Sequence, residues 1–153
     1  MEMNELYTNV ILEESRNKKN RRELSDATMS EYGHNPSCGD EITLSLKMKD
    51  GKIEDLSYSG HGCAISQAST SMMIDLLRGK TVEEVKLLSE SFLKMVKGEL
   101  TEREALEALE DTAIFETMSK LPARVKCATL PWYTILKMIE RGERDNHINP
   151  SCV

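Results

Sequence analysis

The chain has 153 residues, which is the length of one ordinary domain. Lys and Arg total 20 against 26 Asp and Glu, so the formal charge is −6. An acidic chain without a basic block is a poor partner for nucleic acid or an anionic membrane surface. No apolar run approaches the roughly 18 residues of a membrane span. The first 20 residues lack the basic start and the continuous apolar run of a signal peptide. We therefore expect a cytoplasmic protein that binds neither nucleic acid nor membrane.

The clearest pattern in the first half of the chain is that of a β-hairpin. Apolar and polar residues alternate along 42–48, which is typical of a strand with one face exposed to solvent. Asp50 and Gly51 are the residues of a tight hairpin turn. The return strand, 52–59, breaks its alternation at Ile53, which predicts a bulge. Together these signals predict two or three antiparallel strands.

From Cys63 onward the pattern is helical. Apolar residues recur every four positions until Gly79, which is expected to end that helix. Thr81 and Thr101 are each followed three residues later by Glu, the spacing of a capping box, and each is expected to start a helix. The other expected elements are helices at 4–14 and 112–119, a last helix that contains Trp132, a short strand at 27–32 and a turn at 33–39.

Strands followed by helices indicate an α+β fold, in which a small antiparallel sheet packs helices on one face. We expect one domain over 1–153, with a polar tail at 145–153 that frays.

The four cysteines are the first features that indicate a function: Cys38, Cys63, Cys127 and Cys152. In the cytosol thiols stay reduced, so separated cysteines are more often ligands, nucleophiles or core residues than disulfides. No CxxC pair exists, so any site must be assembled by the fold. Cys63 opens a helix, and helix N-termini favour thiolates. Pro131 has no N–H to give to the Cys127 carbonyl, which predicts an irregular or first-turn position for Cys127.

Asp40 extends this cysteine set toward a metal site. It follows Cys38 by two residues, and in an extended chain residues two apart point the same way. Three sulfurs and one carboxylate, from Cys38, Asp40, Cys63 and Cys127, match the ligand chemistry of tetrahedral Zn²⁺. Asp40 is equally well explained as the cap of a turn, and the spacing alone does not separate the two interpretations.

Two histidines are rival ligands. His34 and His61 each lie within four residues of a cysteine and beside glycine. Loop histidines more often face solvent than bind metal, so we rank them second. His147 and Cys152 lie in the polar tail, where Cys152 is interpreted as an incidental thiol.

Three motifs in this order resemble one known family. They are NPSCGD at 35–40, GHGCAISQAS at 60–69 and LPARVKCATL at 121–130. They closely resemble the SufU family, whose members are relatives of the IscU iron–sulfur scaffold. The resemblance covers nearly the whole chain, and the helical segment around 81–110 resembles the insertion that distinguishes the SufU branch.

The resemblance implies a fold and a function. It implies a three-stranded antiparallel sheet with helices on one side, and metal ligands at Cys38, Asp40, Cys63 and Cys127. It implies a zinc-dependent sulfurtransferase that accepts persulfide sulfur on Cys38, which would be the catalytic residue. The donor would be a SufS-type cysteine desulfurase, a PLP enzyme, and the sulfur would pass to downstream iron–sulfur assembly proteins.

One residue differs from the IscU pattern and bears on the choice between two functions. Where IscU proteins have His before the third cysteine, this chain has Lys126, whose ammonium cannot ligate a metal. The alternative is an IscU-like scaffold on which a transient iron–sulfur cluster is built, and a third option is a structural zinc domain that only binds a partner. Arg124 and Lys126 flank Cys127 and are candidates to offset the negative charge of the ligands.

Overall fold

The computed structural model describes residues 3–37 and 39–145, with residues 3–7 as backbone alone. The elements in chain order are α1 (Met3–Arg16), β1 (Met29–Asn35), β2 (Asp40–Lys49), β3 (Lys52–His61), α2 (Ala64–Leu77), α3 (Val82–Val96), α4 (Arg103–Ala108), a 3₁₀ helix (Glu110–Lys120) and α5 (Pro122–Arg144). This is the α+β fold that the sequence predicts.

The three strands form one antiparallel sheet in the order β1, β2, β3. Asp50 and Gly51 join β2 to β3 with positive φ angles of 55° and 77°, as a tight hairpin requires. A register shift near that turn confirms the predicted bulge. β1 continues to Asn35, so part of the segment expected to be a turn is strand, because it pairs with the start of β2.

The helices cover one face of this sheet. Along β2 the side chains of Ile42, Leu44 and Leu46 are at most 2% exposed, because they pack into the core beneath the helices. The intervening residues, among them Glu41 and Thr43, are only partly buried. We call the sheet face that carries Glu41 and Thr43 the open face. This alternation is the one that the sequence predicts.

The starts and ends of α2 and α3 follow the predicted signals. α2 ends just before Gly79, which has φ +86° and so takes the left-handed conformation that closes many helices. α3 begins after Thr81, whose Oγ1 accepts the Glu84 N–H at 3.2 Å, while Glu84 Oε1 accepts the Thr81 N–H at 3.1 Å. The first predicted capping box is therefore confirmed.

The second predicted capping box, at Thr101, is wrong. α4 begins after Glu102, no side chain caps it, and none of its residues is buried. The helix expected at 112–119 is a 3₁₀ helix instead. A short helix whose apolar residues, such as Leu106, are at most partly buried gains little from packing. A capping pattern in the sequence is then not enough to set where the helix begins.

The predicted position of Cys127 is also wrong. α5 starts at Pro122, where proline fits the first turn of a helix, and Cys127 is its sixth residue, inside the second turn. Pro131 lies buried within the same helix. It removes the one bond that its N–H would give to Cys127, but the helix continues because its apolar face packs well. Trp132, for example, stacks on Phe92 with ring centroids 4.0 Å apart.

None of the described helices is both long enough and apolar enough to cross a membrane. Residues 146–153 lie outside the described residues, so the fraying of the tail stays a prediction. The assignment of one domain, and of 81–110 as an insertion, also stays a prediction.

Candidate metal centre

Asp40 begins β2 and points its carboxylate toward the helices. Its side chain is completely buried, at 0% exposure. Burying a carboxylate is costly unless it is hydrogen-bonded. Here the backbone N–H of Cys63 donates to Asp40 Oδ1 at 2.8 Å, so the carboxylate is fixed beside the start of α2.

Cys63 is the residue that caps the N-terminus of α2, as predicted. Its backbone is extended, with φ −69° and ψ 167°, and its Sγ accepts the Ser66 N–H at 3.4 Å. A cap usually uses a side-chain oxygen, so the sulfur here takes a role that Ser or Asp would otherwise fill. The capping contact aims Sγ at the side of the helix where Asp40 lies.

Cys127 reaches the same place from α5. It is 7% exposed, and its thiol donates to the carbonyl of Ala123 one turn earlier, with Sγ and O 3.6 Å apart. Its placement in the second helical turn lets the sulfur face the start of α2.

The structure gathers three of the four predicted ligands. One ligand atom from each of Asp40, Cys63 and Cys127 lies within 4.8 Å of the other two, and Cys63 Sγ is 3.8 Å from Asp40 Oδ2. Cys63 and Cys127 are not joined to each other by a disulfide. In a tetrahedral zinc site with Zn–S near 2.3 Å and Zn–O near 2.0 Å, neighbouring sulfur and oxygen ligands are about 3.5 Å apart. The donor set and its spacing therefore fit zinc. Cys38, the fourth predicted ligand, lies outside the described residues.

Two glycines bring the backbone close enough for this arrangement. A Cβ added to Gly62 would lie 2.5 Å from Ser66 Oγ and 2.7 Å from Asp40 Oδ1. Gly60 has φ +116°, and a Cβ there would lie 2.3 Å from the carbonyl oxygen of Glu41. No role was predicted for these glycines, although two glycines within the three residues before a cysteine are a signal of close backbone approach.

A surface cleft of about 390 Å³ opens onto the two cysteines. Ser37, which precedes Cys38 in the sequence, is on its wall. The exposed side chains of Arg124 and Lys126 also line it, so two cationic groups lie where the ligands concentrate negative charge. The rest of the wall is mostly apolar and comes from Ala64, Ile65 and Ala123.

The rival histidines lie elsewhere. His34 and His61 pair with Glu41 across the strands, so they are on the open face, opposite to Asp40. His147 and Cys152 lie outside the described residues.

Comparison with known proteins places this chain in a family. A family model for the NifU-like N-terminal domain matches residues 6–128. The chain belongs to that family. The protein named "Iron-sulfur cluster assembly scaffold protein IscU" from Thermotoga maritima is 41% identical over 91% of this chain and 96% of its own. The "Zinc-dependent sulfurtransferase SufU" of Bacillus subtilis is 37% identical over 92% of this chain and 94% of its own.

The fold also matches a solved structure. The crystal structure of a putative SUF-system scaffold protein, SufU, from Fervidobacterium islandicum superposes with a TM-score of 0.80 at 37% identity. The match covers 85% of this chain and 93% of that one. The predicted membership in the SufU and IscU family, and the predicted three-stranded sheet with helices, are therefore confirmed.

Proposed function

We propose that the protein is a zinc-dependent sulfurtransferase of iron–sulfur cluster assembly that accepts persulfide sulfur on Cys38. The observation that carries this proposal is the convergence of Asp40, Cys63 and Cys127. Both cysteines also line the surface cleft, and the buried Asp40 lies behind them. The name of the Bacillus subtilis relative supports the same activity. A SufS-type cysteine desulfurase is the proposed donor, and the cytoplasm is the proposed compartment.

The residues that would hold zinc are Cys38, Asp40, Cys63 and Cys127. Zinc bound there would keep its thiolate ligands deprotonated and would tie together the β1–β2 turn, the start of α2 and α5. Asp40 contributes a hard oxygen to a soft set, and its other oxygen stays bonded to the Cys63 N–H. That hydrogen bond orients the carboxylate before any metal binds.

The transfer of sulfur needs a nucleophile that can meet another protein. Cys38 follows Ser37 on the wall of the cleft and precedes Gly39, which has φ +71° in the turn between β1 and β2. The Cys38 thiolate attacks the terminal sulfur of the desulfurase persulfide. The S–S bond of the desulfurase breaks, its cysteine leaves as a thiolate, and a new S–S bond forms on Cys38, so no outside oxidant or reductant is needed.

The side chains around the cleft would serve that encounter. Arg124 and Lys126 place positive charge at its mouth, which attracts an anionic persulfide and opposes the charge of the ligands. The apolar wall beside them offers a desulfurase a surface that is easily desolvated. Burial of this wall on docking would exclude water from the transferring sulfur.

The test of this function is sulfur loading by a SufS-type desulfurase. We expect the wild-type chain to raise the turnover of cysteine to alanine and to carry persulfide. Cys38→Ser should carry none while it retains much of its zinc, and Cys152→Ser should behave like wild type. Normal loading of Cys38→Ser would refute the role of Cys38. No effect of the wild-type chain on the desulfurase would instead favour a purely structural zinc domain.

The second candidate function is an IscU-like scaffold. The identity of 41% to the Thermotoga maritima IscU protein favours it, whereas Lys126 in place of a His ligand disfavours it. Anaerobic incubation with iron, sulfide and reductant separates the two. A stable coloured cluster that moves to an apo-acceptor would identify a scaffold, and a colourless zinc protein that carries persulfide would identify a sulfurtransferase.

The metal assignment has its own test. Asp40→Asn keeps an oxygen that can accept the Cys63 N–H but removes the charge, so we expect zinc affinity to fall by about tenfold or more. Asp50→Asn makes the same change in the exposed hairpin turn and should leave the affinity unchanged. Competition with a chelator measures both, and the chelator should lower the melting temperature of the wild type. Equal affinities in the two variants would show that Asp40 is not a ligand.

A further inference from the structure

The open face of the sheet carries a second group of metal-binding side chains. Glu41 on β2 lies directly opposite His34 on β1 and His61 on β3. Cross-strand neighbours project from the same face, so all three side chains rise from the open face. Asp40, the preceding residue, points the other way. The thickness of the sheet therefore separates this histidine–glutamate row from the cysteine centre.

The carboxylate in the middle of the row is held in place. Tyr32 donates its hydroxyl proton to Glu41 Oε2 at 2.9 Å, and His61 Nε2 lies 3.6 Å from Glu41 Oε1. Tyr32 also stacks on His34, with ring centroids 6.1 Å apart and planes 19° apart. Tyr32 thus orients one oxygen of Glu41, in the manner of the outer groups that position metal ligands, and its ring lies beside the His34 imidazole.

The register of the strands brings His61 and Glu41 together and sets His34 on the other side of Glu41. Opposed Cβ atoms on neighbouring strands are about 5 Å apart, so imidazoles on both sides of a glutamate can meet above its carboxylate. The side chains of His61 and Glu41 are 70% and 40% exposed, so they have room to adjust. His34 is not gathered with the other two as tightly as the cysteine ligands are, and its exposed ring must turn to complete the set.

We propose that His34, Glu41 and His61 form a second, exposed site for a first-row divalent cation. Two imidazoles and one carboxylate with the remaining positions open to water are the donor set best matched to Fe²⁺, and they also accept Co²⁺, Ni²⁺ or Zn²⁺. The site does not depend on the proposed sulfur transfer, because none of its ligands belongs to the cysteine centre.

The experiment is a titration of the full chain, already loaded with one equivalent of zinc, with Co²⁺ under anaerobic conditions. We expect one further equivalent to bind and to broaden the amide NMR signals of residues 34, 41 and 61. It should give the weak visible absorption of cobalt bound by nitrogen and oxygen, without thiolate-to-cobalt charge transfer. His61→Gln should weaken this binding by about tenfold or more, since one of three ligands is lost.

The third histidine of the chain gives a matched control. His147→Gln should bind the second cobalt as the wild type does. No second equivalent in the wild type would overturn the proposal. So would unchanged binding in a His34→Gln and His61→Gln double variant, or charge-transfer absorption without broadening at residue 41, since cobalt would then occupy the cysteine centre alone.

Discussion

The two faces of β2 show how one strand supplies two kinds of chemistry. Asp40 and Leu44 face the helices and are completely buried, whereas Glu41 and Thr43 are partly exposed on the open face. A carboxylate on the buried face needs fixed partners, which the Cys63 N–H helps to supply. A carboxylate on the open face keeps its contact with water. The face, more than the residue type, decides whether an acidic side chain is buried with fixed partners or stays partly exposed with room to adjust.

A similar contrast between buried and exposed residues distinguishes the two neighbouring helices α3 and α4. α3 buries an apolar face that includes Leu88 and Phe92, whereas α4 buries none of its residues. Only α3 has the complete capping box that its sequence predicts. Packing and capping therefore reinforce one another where the helix has a core to face.

The largest loss of stability should come from a substitution on the buried face of β2. Leu44→Ala removes a side chain with 0% exposure, so we expect the free energy of unfolding to fall by about 2–5 kcal/mol. Thr43→Ala, one residue away on the open face, should cost less than about 1 kcal/mol. Urea denaturation of both variants measures the difference. Similar losses would mean that the two faces are not energetically distinct.

A smaller effect should follow from crowding the buried side of the metal centre. The added methyl of Gly62→Ala must displace the side chains of Ser66 or Asp40, which we expect to cost about 1–3 kcal/mol and to weaken zinc binding. Gly79→Ala gives a useful contrast. A Cβ there meets nothing within 4 Å, and its cost comes from the positive φ alone. It should lower stability without changing zinc affinity, so equal zinc affinities in the two variants would contradict the crowding argument.

Loss of the cap of α3 should cost about 1 kcal/mol of stability, whereas the matching substitution before α4 should cost less. Thr81→Ala removes the acceptor for the Glu84 N–H, and a lost cap typically costs that much. The backbone N–H of Thr81 and, after it, the Thr81 hydroxyl hold the pKa of Glu84 below its ordinary value. The variant keeps the N–H and removes only the hydroxyl, so that pKa should rise part of the way back. Thr101→Ala should change stability by no more than about 0.5 kcal/mol, because α4 has no side-chain cap. Thermal unfolding measures both, and a larger loss for Thr101→Ala would reverse the contrast.

The smallest change in stability should follow from loss of the Lys47–Asp26 ion pair at the edge of the open face. The hydrogen bond from Lys47 Nζ, at 2.6 Å, holds the pKa of Asp26 below its ordinary value. A lowered pKa stabilises the fold above the unfolded value of about 3.9, and this contribution is lost as pH falls through the lower folded value. Asp26→Asn should therefore differ slightly from wild type at neutral pH and converge with it in acid.

Salt provides the control for that measurement. High salt should shrink the neutral-pH difference in the urea midpoint between wild type and Asp26→Asn, because both groups of the pair are solvated. A difference that persists unchanged in acid and in high salt would show that the pair does not cause it.

Local signals in the sequence predicted most of the secondary structure. The alternation along β2, the Asp50–Gly51 turn, the bulge near Ile53 and the capping box at Thr81 all depend on residues close together in the chain, and all are confirmed. Thr101 carries the same local signal as Thr81 but does not cap α4, a helix that has no fully buried residue.

The position of Cys127 depended on something that no local signal contains. Pro131 argued against a regular helix at Cys127, yet α5 runs through both residues, since the stacking of Trp132 on Phe92 and the surrounding core hold its apolar face. Packing between distant segments outweighed the loss of one backbone hydrogen bond.

By itself the sequence determined the strand and helix periods, the turn chemistry and the residue types capable of binding a metal, because each of these is a property of neighbouring residues. Only the tertiary structure decided that Asp40, Cys63 and Cys127 meet while Glu41 joins His34 and His61 on the opposite face. The reason is that strand register and helix packing, which set those distances, arise from contacts between segments far apart in the chain.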